Sequence, residues 1–187
     1  TNNESRMRSA WELMWGGVGY VNNAIQDIEK LDIATVTDLT EEDRTQIITQ
    51  LKVLRAFHYI KIMDLWGNVP IATKVADPLN PETKPRAEVF AFIKGELEEN
   101  VPKLPLTSAG NIGQVSMGAG YAMLSELYLN AEKWSGKPMW DECITASNKV
   151  INGEAGGIGG APKLSPDLNS LFSNKNAFIS GFFSFAP

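Results

Sequence analysis

The chain has 187 residues, of which 43% are apolar and 21% are charged, a composition typical of a globular domain with an apolar core. Its net charge of -5 and isoelectric point near 5.0 argue against nucleic-acid binding, because no basic stripe could replace phosphate counterions. The sequence contains no run of about 18 apolar residues, the length that a membrane-spanning helix needs.

The first predicted element is a helix over residues 5–31, in which apolar residues recur every three or four positions. Gly16, Gly17 and Gly19 interrupt this pattern, and each lowers helix stability by up to about 1 kcal/mol relative to alanine. We interpret them as a place where another helix comes close. A phosphate-binding loop is the alternative, but no strand precedes them and no Gly-Lys-Ser/Thr sequence follows.

The longest amphipathic pattern begins at residue 41 and predicts the helix around which the rest of the chain is organised. Thr40 is a suitable N-cap, and acidic residues follow it in the first turn, where the helix dipole favours them. Gly67 and Asn68 end the helix, and Pro70 prevents it from continuing. The period predicts one apolar face, formed by Ile47, Ile48, Leu51, Leu54, Phe57, Ile62 and Leu65.

Two motifs of this stretch are LRAFHY at residues 54–59 and LWGNVP at residues 65–70. They resemble the LRAxxYxxL and (Y/W)GDVP signatures of the SusD/RagB family, the surface glycan-binding lipoproteins of the Bacteroidetes outer membrane. Asn68 replaces the usual aspartate, and both side chains can hydrogen-bond to turn backbone. The resemblance implies a tetratricopeptide-like stack of antiparallel helix pairs with a binding function.

The next segments continue the helical pattern after an irregular connection. Residues 71–84 are predicted to be irregular because prolines there remove hydrogen-bond donors and fix the backbone. A helix over residues 86–104 is predicted to bury Val89, Phe90, Ile93, Leu97 and Val101. A helix over residues 114–134 is predicted to bury Val115, Ala119, Ala122, Met123, Leu127 and Leu129. Gly118 and Gly120 are interpreted as small residues that allow tight helix packing.

The last predicted helix covers residues 137–152 and is followed by a glycine-rich loop. Its inward residues are predicted to be Trp140, Cys143, Ile144, Val150 and Ile151. Residues 164–174 resemble the LxxdyxxlF segment of the family, and residues 177–187 are apolar and rich in phenylalanine. From this we expect the family's remaining helices and loop-rich half to lie beyond this chain.

These elements together predict an all-α fold, a tetratricopeptide-like α-α superhelix of antiparallel helix pairs with irregular loops, over residues 1–187. Residues 5–66 form the first pair and residues 86–134 the second. Residues 137–152 begin a third pair, and residues 153–187 form an irregular tail. Four amphipathic helices and the absence of an alternating strand pattern support this prediction without the resemblance.

The sequence offers no arrangement that favours catalysis or metal binding. His58 is the only histidine, and we interpret it as a packing or hydrogen-bonding residue between helices, because no convergent partner can be placed. Cys143 is the only cysteine, and we expect it to be a small, half-buried helical residue. We therefore predict no enzyme activity, no metal and no cofactor.

Two groups of carboxylates could be read as a glycosidase pair. Such an enzyme needs two carboxylates facing one sugar, one of them desolvated so that its pKa is raised. We interpret both groups as solvated helix surface and helix-start charge. They are Glu41, Glu42 and Asp43 in the first, and Glu96, Glu98 and Glu99 in the second.

Five tryptophans are candidates for glycan recognition, because sugar rings present flat C–H faces that stack on aromatic rings. Helix junctions favour core positions for Trp66 and Trp140, and the apolar face of the first helix favours burial of Trp15. Trp11, with Arg6 nearby, and Trp134 are therefore the predicted ligand-binding residues. The resemblance implies that most glycan contacts come from regions outside this chain.

The resemblance implies a non-catalytic protein that captures an oligosaccharide or other nutrient and passes it to a SusC-like TonB-dependent transporter. It would act on the outward-facing surface of the cell outer membrane, held by a lipid anchor that we expect outside this chain. The alternative from another class is a helical-repeat scaffold that binds a protein or peptide partner without sugar recognition. The sequence does not identify the glycan.

Overall fold

A computed structural model describes residues 4–75 and 81–163. Within these ranges the chain forms six α-helices and one short pair of antiparallel strands, and no described helix is both long and apolar enough to cross a membrane. The prediction of an all-α fold is confirmed. The elements are α1 (Ser5–Lys30), α2 (Glu41–Trp66), β1 (Val69–Pro70), β2 (Thr83–Lys84), α3 (Arg86–Asn100), α4 (Met117–Leu129), α5 (Ala131–Ser135) and α6 (Trp140–Ile151).

Helix α2 lies at the centre of the packing, between α1 and α3. Trp11 contacts Trp66 and, farther along, Asn22 contacts Arg55, so α1 and α2 run antiparallel. Helix α4 packs mainly on α6, while α5 packs on α3. Short 3-10 turns at residues 33–35, 101–103 and 109–111 connect these helices.

The start and end of α2 follow from local chemistry, as predicted. The Thr40 hydroxyl accepts a hydrogen bond from the Asp43 N–H at 3.1 Å, and the Asp43 carboxylate accepts one from the Thr40 N–H at 3.0 Å. This reciprocal pair satisfies two backbone donors that the helix itself cannot. At the other end, Gly67 adopts φ +75°, which residues with a Cβ rarely adopt, and its N–H closes the last turn on Met63 O.

The side chain of Asn68 caps the start of the next helix, α3, although Asn68 lies outside that helix. Pro85 occupies the N-cap position of α3 and makes no side-chain cap hydrogen bond. The Asn68 Oδ1 accepts instead the N–H of Arg86, the first residue of α3, at 2.9 Å. The motif that ends α2 therefore also stabilises the start of α3, through a residue 18 positions earlier.

Replacing Asn68 with alanine is expected to lower the free energy of unfolding by about 0.5–2 kcal/mol, because the Arg86 N–H loses its acceptor. Asn68→Asp, which restores the usual residue of the family motif, is the matched control. It keeps the acceptor and adds negative charge at the positive end of α3, so its stability should equal or exceed that of the native chain. Urea denaturation measures both, and equal losses for the two variants would contradict a capping role.

The predicted apolar face of α2 differs from the buried one. The fully buried apolar residues of α2 include Val53, Ala56, Tyr59, Ile60, Ile62 and Met63. Of the predicted face only Ile62 is fully buried, while Leu65 is 50% exposed. The single-face interpretation was wrong because α2 is covered on two sides, by α1 and by α3, and the stripe facing neither helix is only half-buried.

The predicted inward face of α6 is also partly wrong. Val150 is buried and Cys143 half-buried, as predicted, but Trp140, Ile144 and Ile151 are 48%, 58% and 62% exposed. At about 100° per residue, these three lie on one side of the helix, away from the side that meets α4. Among the described residues α4 is the main neighbour of α6, and it covers only part of a wide apolar arc.

The helix predicted over residues 114–134 is divided at Asn130, which separates α4 from α5. The Asn130 side chain donates a hydrogen bond to Glu126 O at 2.9 Å, and its backbone leaves the helical region with ψ near 1°. Leu129, predicted to be buried, is 56% exposed at this break. The close approaches expected at Gly118 and Gly120 are confirmed, since a Cβ there would lie 2.5 Å from Thr107 Oγ1 and 2.6 Å from Val101 Cγ2, respectively.

Candidate functional site

Three tryptophans meet where the start of α1 lies beside the end of α2. Trp11 stands 5.0 Å from Trp66, edge to face, and 5.4 Å from Trp15, measured between ring centroids. All three rings are partly exposed and rest on the apolar core, with Tyr59 behind Trp15 at 5.7 Å. We call Trp11, Trp15 and Trp66 the tryptophan cluster. Its geometry follows from the antiparallel pairing of two helices of equal length.

The cluster contains an unsatisfied hydrogen-bond donor. The indole Nε1 of Trp15 is enclosed and has no hydrogen-bond partner within the described part of the chain. An unpaired buried donor costs about 1–3 kcal/mol, so folded proteins seldom keep one without a reason. The partly exposed aromatic rings of Trp11, Trp15 and Trp66 make the cluster the candidate site for a ligand with an apolar face.

The structure separates the two predicted residues of the first helix. Arg6 and Trp11 are five residues apart on the continuous helix α1, which places them about 140° apart around its axis. Arg8 is exposed and lies closer to the Trp11 side, about 60° away. Ligand binding by Arg6 and Trp11 remains a prediction, and the structure adds Trp66 and Trp15 as neighbours of Trp11 that the sequence analysis assigned to the core.

Trp134 occupies a different kind of position. It lies on α5 and is only 8% exposed, as part of the apolar core. A sugar cannot stack on a ring face that the protein itself covers. The prediction that Trp134 binds a ligand also stays untested, but its burial gives it a packing role in the described part of the chain.

A buried polar network near the middle of α2 was missed by the sequence analysis. Arg55 is 5% exposed, and its Nε and Nη2 donate to the two carboxylate oxygens of Glu96 at 2.9 and 3.0 Å. Its Nη1 donates to Asn22 Oδ1 at 2.8 Å and to Thr73 O at 3.1 Å. The guanidinium thus joins α1, α2, α3 and the segment after β1, in the two-pronged geometry that favours arginine over lysine.

Tyr59 extends this network, which we call the Arg55 network (Asn22, Arg55, Tyr59 and Glu96). The Tyr59 hydroxyl accepts the N–H of Ala72 at 2.7 Å and donates to Ala72 O at 3.1 Å. Asn22 Nδ2 donates to the same carbonyl at 3.0 Å. Arg55 and Tyr59 occupy the arginine and tyrosine positions of the LRAxxY signature. The motif therefore marked both residues, but the sequence did not show which residues they contact.

The interpretation of Glu96 as a solvated surface charge was wrong. Its side chain is 14% exposed, because α3 turns that position towards α2 and the Arg55 guanidinium neutralises the buried charge. Glu98, which was also interpreted as solvated surface charge, has protein partners. It accepts a hydrogen bond from the Tyr128 hydroxyl at 2.7 Å and pairs with Lys94, while burial, followed by this hydrogen bond, raises the pKa of Tyr128.

Three carboxyl groups in the described part of the chain have shifted pKa values. The carboxyl pKa values that shift are those of Asp43, Glu82 and Glu154, and all three are lowered by side-chain hydrogen bonds from Thr40, Lys84 and Lys149 respectively. A general acid requires the opposite shift. No group of three or more potential metal ligands lies together among the described residues.

His58 lies against α1, as interpreted from the sequence. A Cβ added to Gly17 would stand 2.4 Å from the His58 ring, so the imidazole packs directly on the glycine backbone. Burial lowers the pKa of His58, which favours the neutral ring. The glycine interruption of α1 therefore serves a close helix contact at Gly17. A Cβ built at Gly16 or Gly19 would have no described atom within 4 Å beyond the local helix backbone.

Comparison with known proteins gives both sequence and structural likenesses. A search with models of protein families finds no match. The starch-binding protein SusD of Bacteroides thetaiotaomicron is 26% identical over 138 residues, which cover 74% of this chain and 24% of that protein. This chain therefore spans about a quarter of the length of that curated relative.

Solved structures share the fold over most of the chain. A laminarin-binding SusD-like protein matches with a TM-score of 0.76 at 22% identity, covering 92% of this chain and 36% of that one. Surface glycan-binding protein A of Bacteroides thetaiotaomicron, solved in complex with laminarihexaose, matches with a TM-score of 0.69 at 22% identity, covering 89% and 32%. The curated matches and the SusD-like fold confirm the resemblance that the two motifs of α2 indicated: the chain is similar to SusD-like proteins in sequence and in fold.

Proposed function

We propose that this protein is a non-catalytic surface protein that captures an oligosaccharide and passes it to a SusC-like TonB-dependent transporter of the outer membrane. It acts on the outward-facing side of that membrane, held by a lipid anchor. The observation that carries the binding proposal is the tryptophan cluster, which presents partly exposed aromatic rings at the shared end of α1 and α2. Starch and laminarin, the ligands that give two related proteins their names, favour a glucan.

The arrangement supports binding more than turnover. Hydrogen bonds stabilise the ionised form of the described carboxylates whose pKa values are shifted. Glu96 forms a buried ion pair with Arg55. Rigid helices on both sides of the cluster fix the aromatic rings before the ligand arrives, which lowers the entropy cost of binding. A fixed, pre-formed aromatic surface is what a capture protein needs.

The alternative, a helical-repeat scaffold for a protein partner, is favoured by one observation. Trp140, Ile144 and Ile151 form an exposed apolar side of α6, and exposed apolar surface of this kind often marks a protein contact. The two proposals are compatible if α6 carries a protein contact and the tryptophan cluster carries the ligand. A protein-only scaffold would show no retention by any polysaccharide.

Affinity electrophoresis in gels containing starch or laminarin tests the glycan proposal. The native chain should be retarded in at least one gel, and Trp11→Ala should weaken binding about tenfold, because a stacked aromatic face contributes roughly 1.4 kcal/mol or more. Trp140→Ala is the matched control, since it removes a 48% exposed tryptophan that lies outside the cluster. Equal retardation of the native chain and Trp11→Ala would exclude Trp11 from the binding surface.

A further inference from the structure

A second concave region lies at the opposite end of α2 from the tryptophan cluster. A cavity of about 590 Å³ opens between the first turns of α2 and the segment that follows α3, with Gln50, Lys103 and Gln114 in its lining. This volume falls within the roughly 300–1,000 Å³ of small-molecule sites. Gln50 and Trp66 are 16 residues apart on one helix, so about 24 Å separates this cleft from the cluster.

The cleft continues along the half-buried stripe of α2. A second cavity of about 220 Å³ shares Ile47, Gln50 and Gln114 with the first and extends to Leu51 and Leu54. Ile47, Leu51 and Leu54 belong to the amphipathic pattern of α2, and the core covers them only in part. The stripe is therefore the floor of an open groove with a polar end and an apolar end.

The polar end holds hydrogen-bonding groups that the described chain leaves unused. Gln50 Oε1 accepts the N–H of Val115 at 3.2 Å, which fixes the amide while its NH₂ group makes no hydrogen bond to the described residues. The side-chain amide of Gln114 and the Asp38 carboxylate likewise have no hydrogen-bond partner in the described ranges, whereas the Gln114 backbone N–H donates to Asn111 O. Asp38 is held at φ +63°, the left-handed backbone region that non-glycine residues occupy at a cost.

The chemistry of these groups selects a class of ligand. Two carboxylates, Asp38 and Asp43, and one ammonium group, Lys103, give the cleft a net negative charge, which disfavours phosphate and other anions. Amide groups both donate and accept hydrogen bonds, as hydroxyl groups do. Ile47 and Pro105 add apolar surface for the C–H faces of a sugar ring.

We propose that this cleft is a second saccharide subsite that takes a short, neutral oligosaccharide. The proposal rests on the proposed function, because it extends the same ligand class to a separate surface of the same helix. The subsite holds sugar hydroxyls through Gln50, Gln114 and Asp38, and it differs from the tryptophan cluster in using amides and aliphatic side chains instead of aromatic rings.

One nuclear magnetic resonance titration of the native chain with laminarihexaose, repeated with maltohexaose, reads both surfaces separately. The side-chain NH₂ signals of Gln50 and Gln114 report on the cleft, and the indole N–H signal of Trp11 reports on the cluster. We expect both sets to move with at least one sugar. Indole shifts without amide shifts would overturn the cleft and leave the proposed function standing, whereas amide shifts without indole shifts would support the cleft alone. No shifts with either sugar would overturn both.

A variant pair identifies the residue that binds. Gln114→Leu is expected to weaken the amide-reported binding at least tenfold and to leave the Trp11 response unchanged, because Gln114 is exposed and lines the cleft, which lies about 24 Å from the cluster along α2. Gln26→Leu makes the same chemical change on α1, outside the cleft, and should alter neither response. Equal affinities for Gln114→Leu and the native chain would contradict the assigned subsite.

Discussion

Replacing Arg55 with methionine is expected to lower the free energy of unfolding by about 3–5 kcal/mol. The methionine fills much of the arginine volume but leaves the Glu96 charge buried without its partner, at 14% exposure. It also removes the donor to Asn22 Oδ1, which ties α1 to α2. Urea denaturation followed by tryptophan fluorescence measures the loss, because the tryptophan cluster loses its packing when α1 and α2 separate.

Two further variants separate the buried pair from ordinary surface charge. Lys61→Met breaks an ion pair with Glu126 at 3.1 Å in which both side chains are at least 40% exposed, and it should cost less than about 1 kcal/mol. Adding Glu96→Leu to Arg55→Met should recover part of the lost stability, because no buried charge then remains unpaired. Losses of the same size for Arg55→Met and Lys61→Met would contradict a buried, energetically important network.

The bounds of α2 could be predicted because its signals are local. Thr40, Asp43 and Gly67 lie within a few residues of the backbone groups that they satisfy or the turn that they form, so a short window of sequence contains the whole interaction. The helical period reports the same local geometry. Element type and approximate position were therefore accessible from sequence for α1, α2 and α3.

The Arg55 network could not be predicted because its partners are distant in the chain. Arg55 and Glu96 are 41 residues apart, and Arg55 and Asn22 are 33 apart, so their pairing depends on how three helices pack. Periodicity treats a charged residue as evidence for a solvated face. A charged residue can also lie in the interior, where a buried arginine requires a buried acidic partner on a neighbouring element.

The tryptophan cluster illustrates the same limit for the candidate site. The sequence singled out Trp11 for its place near the start of α1, but assigned Trp66 to the core as a helix-junction residue. Antiparallel pairing of α1 and α2 brings the two rings to 5.0 Å, which only the tertiary arrangement shows. Burial of Trp134 at 8% exposure likewise depends on the break at Asn130 and the packing of α5 on α3.

Gly17→Ala is expected to lower the free energy of unfolding by about 1–3 kcal/mol, although alanine is the better helix former. Its Cβ would lie 2.4 Å from the His58 ring, so the imidazole or the α1–α2 spacing must shift. Gly16→Ala is the matched control on the same helix, because beyond the local helix backbone no described atom lies within 4 Å of a Cβ built there. It should raise stability by up to about 1 kcal/mol, and thermal or urea denaturation gives the difference.

Removing the imidazole tests whether this contact is the cause. In a His58→Ala background the Gly17→Ala change should lose most of its cost, because the ring that opposes the new methyl group is gone. The difference between the two backgrounds is the coupling energy between positions 17 and 58. If Gly17→Ala proves as stabilising as Gly16→Ala in the native background, the close approach of α1 to α2 at His58 is wrong, and the glycines of α1 need another explanation.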